Sequence, residues 1–244
     1  MNDRHSGRIN RSSGVTLVEM MVALVVGLMV FGAVSVIYMD SSESTRFQTA
    51  LQRTQENGRF AVDLIGRYLR MARYDDPLNT FIVDPPLLKG TPSASGALLP
   101  LANLKSASDT LGLRHEGGTL IRNCMGALVS AGSYVTSVYG VDTNDHLVCG
   151  TNNGNTTPLV EGVEDLSLRY GVDLDDDGFA NRYAEADGVA DWNQVVTVEI
   201  SVLANSVTDG LRDVQTVCLG CTVFSGTADR KIRAEFQSVV GIRN

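Results

Sequence analysis

Residues 14–40 read GVTLVEMMVALVVGLMVFGAVSVIYMD, and within them residues 20–39 carry no charged side chain. Twenty uncharged, mostly apolar residues span ~30 Å as a helix, which matches the hydrocarbon thickness of a bilayer. Arg4, Arg8 and Arg11 precede this stretch, and Asp40 and Glu43 follow it. By the positive-inside rule that order predicts an N-terminus in the cytoplasm and an exported remainder. A secretory signal peptide would have a shorter apolar core, about 7–15 residues, with the small-residue cleavage site behind it. Here Ser12, Ser13 and Gly14 lie in front. A cut after Gly14 would leave the membrane helix attached, with Val15 as the new N-terminus and the carboxylate of Glu19 four residues further on.

The rest of the chain differs in kind. The whole chain has 244 residues, 43% of them apolar and 20% charged, enough for a sizeable core. The formal charge is −8, and removing the first 14 residues, with three arginines and one aspartate, leaves 17 basic and 27 acidic side chains, or −10. So acidic a body argues against nucleic acid as a partner, because phosphate backbones are bound through Lys and Arg. Catalysis finds no support either. Beyond the leader only His115 and His146 remain, without a nucleophile elbow, a phosphate loop or an H-E-x-x-H helix.

No proline occurs before Pro77, so nothing forces a break between Val15 and about Arg73, ~88 Å if fully helical. Past Asp40, apolar or small residues recur at Phe47, Leu51, Thr54, Gly58, Ala61, Ile65, Tyr68 and Ala72, and Phe60, Leu64 and Leu69 widen the stripe. Steps of four and three mark one face of an amphipathic helix. A coiled coil would show the same spacing, but the pattern lasts only about four heptads before strand-like sequence begins, which favours packing on the chain's own body. Residues 15–39 form the membrane half of the helix, 40–74 the amphipathic half, and 75–244 the exported domain.

The order basic leader, Gly14, Thr16, Leu17, Glu19 and then a long apolar helix resembles the type IV pilin superfamily; Val15 stands where the family usually has phenylalanine. Within it the chain resembles the PilW-type minor pilins, through Gln55 to Ala61, Tyr68 to Ala72, Leu159 to Asp165, Tyr170 to Asp173 and Val239 to Asn244. The resemblance implies cleavage between Gly14 and Val15 by a prepilin peptidase, with methylation of Val15. It also implies a wait in the bacterial inner membrane with the domain in the periplasm, then incorporation into a type IV pilus at the cell surface. Other minor pilins and the major pilin would be the partners, met through the N-terminal helix, and the role would be structural: starting or capping the pilus. A minor pseudopilin of a type II secretion system would share the helix and the cleavage signal.

An acid in the membrane part of a helix costs up to ~2.5–3.5 kcal/mol on insertion scales, so Glu19 needs a reason. After cleavage the Val15 α-amine lies ~6 Å from it at the helical rise, and a second subunit offset by that distance could set its amine against the carboxylate. That pairing would fix the assembly register. The simpler alternative is an acid in the first helical turn, favoured by the helix dipole and reaching back to the interface.

The domain reads as α+β: the long helix on a small antiparallel sheet with long loops. Residues 75–103 are rich in Pro, Gly and Ser and predict a loop; strand-like runs follow at 110–114, 119–123, 133–141, 166–170, 195–203, 214–217 and 232–240. Four cysteines in an exported domain predict disulfides, with three possible connectivities. The favoured pairs are Cys124 with Cys149, closing a Gly/Asn-rich excursion over 130–155, and Cys218 with Cys221, a tight ring eased by Gly220; a zinc half-site or redox pair is the alternative for the second. Finally, Asp173, Asp175, Asp177, the carbonyl of Phe179 and Asn181 stand at calcium-loop spacing around Gly178. The twelfth position is Ala184, so the bidentate acid must come from elsewhere, Glu185, Asp187 or Asp191, and a solvated acidic turn explains the same residues. Calcium is the one candidate cofactor, and a calcium-dependent adhesive domain on a pilin anchor the reading it would support.

Overall fold

A computed structural model of the chain describes residues 14–71, 88–91, 103–106, 108–118, 120–151, 155–208, 217–219, 222–224 and 229–242. One helix, α1 (Leu17–Met71), runs unbroken through the membrane stretch and the amphipathic stretch. Its hydroxyls stay satisfied by turning back on the helix: Ser35 Oγ donates to the Phe31 carbonyl and Thr45 Oγ1 to the Ser41 carbonyl, both at 2.8 Å. The chain divides into two compact units, residues 1–47 and 48–244. In the first, no described side chain is buried.

In the second unit α1 buries Ala50, Thr54, Gly58, Ala61, Val62, Ile65, Gly66 and Leu69. That stripe follows the expected steps, with one correction: Phe60 is 48% exposed. Two residues along a helix amount to ~200°, so a face centred on Gly58, Ala61 and Ile65 turns Phe60 away. Gly58 is required there by contact, since a Cβ would stand 2.2 Å from the Phe236 ring.

The body holds two antiparallel sheets where the sequence led us to expect one small sheet. The five-stranded sheet runs in order from β1 (Leu88–Thr91) through β2 (Thr110–Glu116), β3 (Tyr134–Val141) and β4 (His146–Gly150) to β5 (Thr156–Glu161). The four-stranded sheet has the order β11-β8-β6-β7, with β6 (Val163–Val172), β7 (Arg182–Ala184), β8 (Val195–Asn205) and β11 (Arg233–Gly241). A separate ribbon pairs β9 (Val217–Leu219) with β10 (Thr222–Phe224). The expected strand at 119–123 is reduced to an isolated bridge between Arg122 and Leu128. Conversely, the expected excursion over 130–155 is largely a hairpin, because Asp142 Oδ1 accepts from the backbone N–H groups of Asn144 (2.9 Å) and His146 (2.8 Å) and folds β3 back into β4. Residues 214–216 lie outside the described residues, as does most of the 75–103 loop.

One core joins these layers. Ala61, Val62, Ile65 and Leu69 of α1 pack with Leu111, Tyr139, Leu147 and Cys149 of one sheet and Leu166, Leu168, Tyr170, Val198, Ile200 and Val240 of the other. Each such fully buried aliphatic side chain contributes about 1.5–3 kcal/mol of transfer free energy. Tyr68 lays its ring 5.0 Å from that of Tyr139, fixing the helix over the five-stranded sheet.

A charged network ties the sheets together at one end. The Arg233 side chain, 4% exposed, donates to Glu164 at 2.7 and 3.2 Å and to Asp229 at 2.7 and 3.1 Å. Asn205 Nδ2 joins Glu164 to Asp145 in the β3–β4 turn, and Lys105 pairs with Asp145 while donating to the Glu164 carbonyl at 2.8 Å. Burial this deep demands such a full set of partners, since an unpaired buried ion is costly.

Candidate functional site

The N-terminal site begins outside the helix. Gly14, Val15 and Thr16 are non-helical, and α1 starts at Leu17. Thr16 caps it: its Oγ1 accepts from the backbone N–H of Glu19 at 3.2 Å, and its carbonyl takes the first helical bond from the Met20 N–H at 3.1 Å. The spacing Thr16-x-x-Glu19 is that of a capping box, a signal the sequence carried and we had not used. Two consequences follow. The Gly14–Val15 bond lies in non-helical, exposed chain ahead of the cap. Val15 stands outside the helix, so the helical rise does not set its distance to Glu19; Glu19 itself stays at the third helical position, in the turn where the dipole favours an anion.

Behind the cap, the apolar window of α1 is exposed throughout, with Leu17, Leu24, Met29, Phe31 and Ile37 all largely uncovered. By length and composition the helix can cross a membrane. A helix apolar on every side is stable only in lipid or among other helices.

The acidic loop joins β6 to β7. One carboxylate oxygen from each of Asp173, Asp175 and Asp177 lies within 4.8 Å of the other two. Much of the loop is already satisfied by itself. Asp173 Oδ2 accepts from the Gly178 N–H at 2.7 Å and its Oδ1 from the Asp175 N–H at 3.2 Å, while Asn181 Oδ1 accepts from the Leu174 N–H at 2.5 Å. Burial works to raise the Asp173 pKa, but these backbone donors outweigh it and hold the carboxyl below its ordinary value. Gly178 has φ +85°, the left-handed turn that favours glycine. Asn181 Nδ2 donates to Asp175 at 3.2 Å, and the Phe179 ring stands 75% exposed. Among the described residues no fourth acid joins the group: Glu185 precedes a short 3-10 turn and Asp187 lies within it, and Asp191 caps the next one through the Asn193 N–H.

Cys124 and Cys149 are disulfide-bonded, with Cα atoms 6.3 Å apart, anchoring the loop before β3 to β4. The side chains of Cys218 and Cys221 lie outside the described residues.

Comparison with known proteins agrees with the N-terminal geometry. Residues 9–35 match the family model "Prokaryotic N-terminal methylation motif", and residues 133–244 match "Type IV Pilus-assembly protein W". The motif spans Gly14, Val15, Thr16 and Glu19, and it implies processing by a prepilin peptidase and association with pilus components. A solved structure similar to this chain is a type IV-like pilin from Thermus thermophilus, 13% identical, covering 77% of this chain and 96% of its own, with a TM-score of 0.45. No curated protein matches the chain.

Proposed function

Because the chain is a PilW-type type IV minor pilin, by its methylation motif and by residues 133–244, we propose that it is a non-enzymatic structural subunit that helps to start or cap the pilus. A prepilin peptidase removes residues 1–14, the apolar half of α1 holds the chain in the inner membrane with residues 75–244 in the periplasm, and the same half then joins a bundle of pilin helices. The observation that carries this reading is the capped helix start. Thr16 fixes the first turn at Glu19, ahead of an apolar surface that no described residue covers. In that bundle Glu19 receives the freed amine of a neighbouring subunit, a pairing in low dielectric that sets register.

Two measurements test it. Expression with and without a prepilin peptidase, read by N-terminal sequencing and mass, should show loss of the first 14 residues only with the peptidase; a cut elsewhere refutes the assignment. Glu19→Ala should insert normally in the membrane and fail to enter pili, and normal incorporation would sink the register role. A type II secretion pseudopilin would pass the first test, and the match of residues 133–244 to a pilus-assembly model favours the pilus.

A second reading adds to the first. Three carboxylate oxygens within 4.8 Å favour a cation in the Asp173 loop, with Asp173, Asp175 and Asp177 as hard oxygen ligands and Phe179 and Asn181 following on the loop. Calcium should then raise the melting temperature of the chain and Asp175→Asn should abolish the rise; no shift at millimolar calcium leaves a solvated turn.

A further inference from the structure

The outer edge of β11 and the adjacent face of α1 enclose a cleft of about 380 Å³, lined by Arg59, Val62, Asp63, Gly66 and Arg70 on the helix and by Phe236, Gln237, Ser238 and Val240 on the strand. Successive side chains on a strand point to opposite faces, so three consecutive lining residues place the cleft at the strand's edge and not over one face. β11 ends its sheet, and among the described residues it pairs with β8 alone. The Ser206 N–H donates to the Ile232 carbonyl and the Ile242 N–H to the Val196 carbonyl, each at 2.8 Å. Antiparallel pairs alternate between bonded and non-bonded residues, so even-numbered positions 234–240 turn their backbone groups to β8. Gln237 and Val239 therefore turn theirs outward, along the cleft.

The charges beside this edge run against the rest of the molecule. Arg59 and Arg70 have no acidic partner among the described residues, while Asp63 between them is taken by Arg67 at 3.2 Å. Eleven residues of helix separate the two arginines by ~16 Å. A strand covers ~13 Å between side chains four residues apart on one face, so one extended segment with two acids at that spacing can meet both arginines while its backbone pairs with β11.

We propose that this cleft is a strand-addition site for an extended acidic segment of a second exported protein. The outward backbone groups of β11, which no described strand pairs with, supply the pairing, Val62, Phe236 and Val240 supply the apolar floor, and Arg59 and Arg70 select carboxylates. The site is separate from the Glu19 end of the helix, so it stands or falls independently of the register role.

The test uses the full chain in detergent and a fluorescent seven-residue peptide of Thr and Val with Glu at its second and sixth positions. Two controls accompany it: one with Lys at those positions, and one with alternate backbone nitrogens methylated so that it cannot join a strand. The Glu peptide should bind saturably, the Lys peptide at least about fivefold more weakly, and the methylated peptide not at all. The double variant Arg59→Glu with Arg70→Glu should reverse the preference between Glu and Lys peptides while melting at the wild-type temperature, both positions being exposed. Absence of saturable binding up to about 1 mM, equal binding of either control, or no reversal overturns the proposal. So does self-association of the chain that the double variant abolishes without any peptide binding, which would give the cleft to a second copy.

Discussion

The two halves of α1 share one backbone and meet different solvents. From Leu17 to Thr49 no side chain is buried, although the sequence there is almost wholly apolar up to Met39; from Ala50 to Leu69 eight residues are buried, although charged residues are interleaved among them. Burial within the chain therefore does not track hydrophobicity along this helix. It tracks pattern: a stripe finds the chain's own core, whereas a surface apolar on all sides has to be covered by lipid or by other subunits. Gly58 and Ala61 sharpen the contrast, because small residues in the stripe let β11 and Phe236 approach the helix closely. Gly27 and Gly32 in the first half have open space around them.

Substitutions can try to break that contrast, and the largest effect should come from the ion network that closes the body. Arg233→Ala leaves Glu164 and Asp229 without their buried cation and should destabilise the second unit by about 3–5 kcal/mol in denaturant unfolding. Leu69→Ala, at a position with no exposure, should cost about 2–5 kcal/mol in the same measurement. Leu28→Ala, at 63% exposure in the first unit, should leave that transition within about 0.5 kcal/mol and instead weaken membrane retention or pilus incorporation. If Leu28→Ala lowered the unfolding transition as Leu69→Ala does, the division of the helix would be wrong. Next comes the disulfide: a Cys124→Ser, Cys149→Ser double variant should lose ~3 kcal/mol, which reduction of the wild-type chain should reproduce.

How much of this was legible in the sequence depends on how far apart the interacting residues lie. The helix, its apolar and striped halves and the Cys124–Cys149 pair rest on local spacing or on few alternatives, and all can be read directly. The cap on Glu19 was equally local, in Thr16. By contrast, β4 was hidden because Asp142, Asn144 and Asp145 read as an irregular excursion, when their side chains and a left-handed Asp145 build a tight hairpin. Two sheets instead of one could not be read, because strand order follows from pairing such as β6 with β8, some thirty residues apart. Glu164 and Arg233 are 69 residues apart, and only the assembled sheets bring them together. The acidic loop was legible as a cluster; its internal hydrogen bonds were not.

The smallest expected effect sharpens the comparison from inside the body, where two buried groups titrate in opposite senses. Burial pushes the Asp165 carboxyl up to about 6, against lowering contributions from Ser108, the Leu166 N–H and Lys105. The folded chain therefore binds this proton more tightly than the unfolded chain, whose aspartate titrates near 4, so this group adds stability as pH falls from about 6 to about 4. Burial lowers the pKa of His115, whose Nε2 has no hydrogen-bond partner among the described residues. Here the unfolded chain takes the proton first, and stability falls as pH drops below about 6.5. The two contributions oppose each other as the pH falls below about 6. Asp165→Asn keeps an acceptor for the Leu166 N–H at 2.8 Å and removes the ionisation, so it should be more stable than wild type by up to about 2 kcal/mol at pH 7 and lose that advantage near pH 4.5. His115→Gln should show the opposite tilt, gaining on wild type as the pH is lowered. Melting curves of both variants from pH 7.5 to 4.5 decide it: parallel profiles would mean that neither group is buried as the core around β2 and β6 requires.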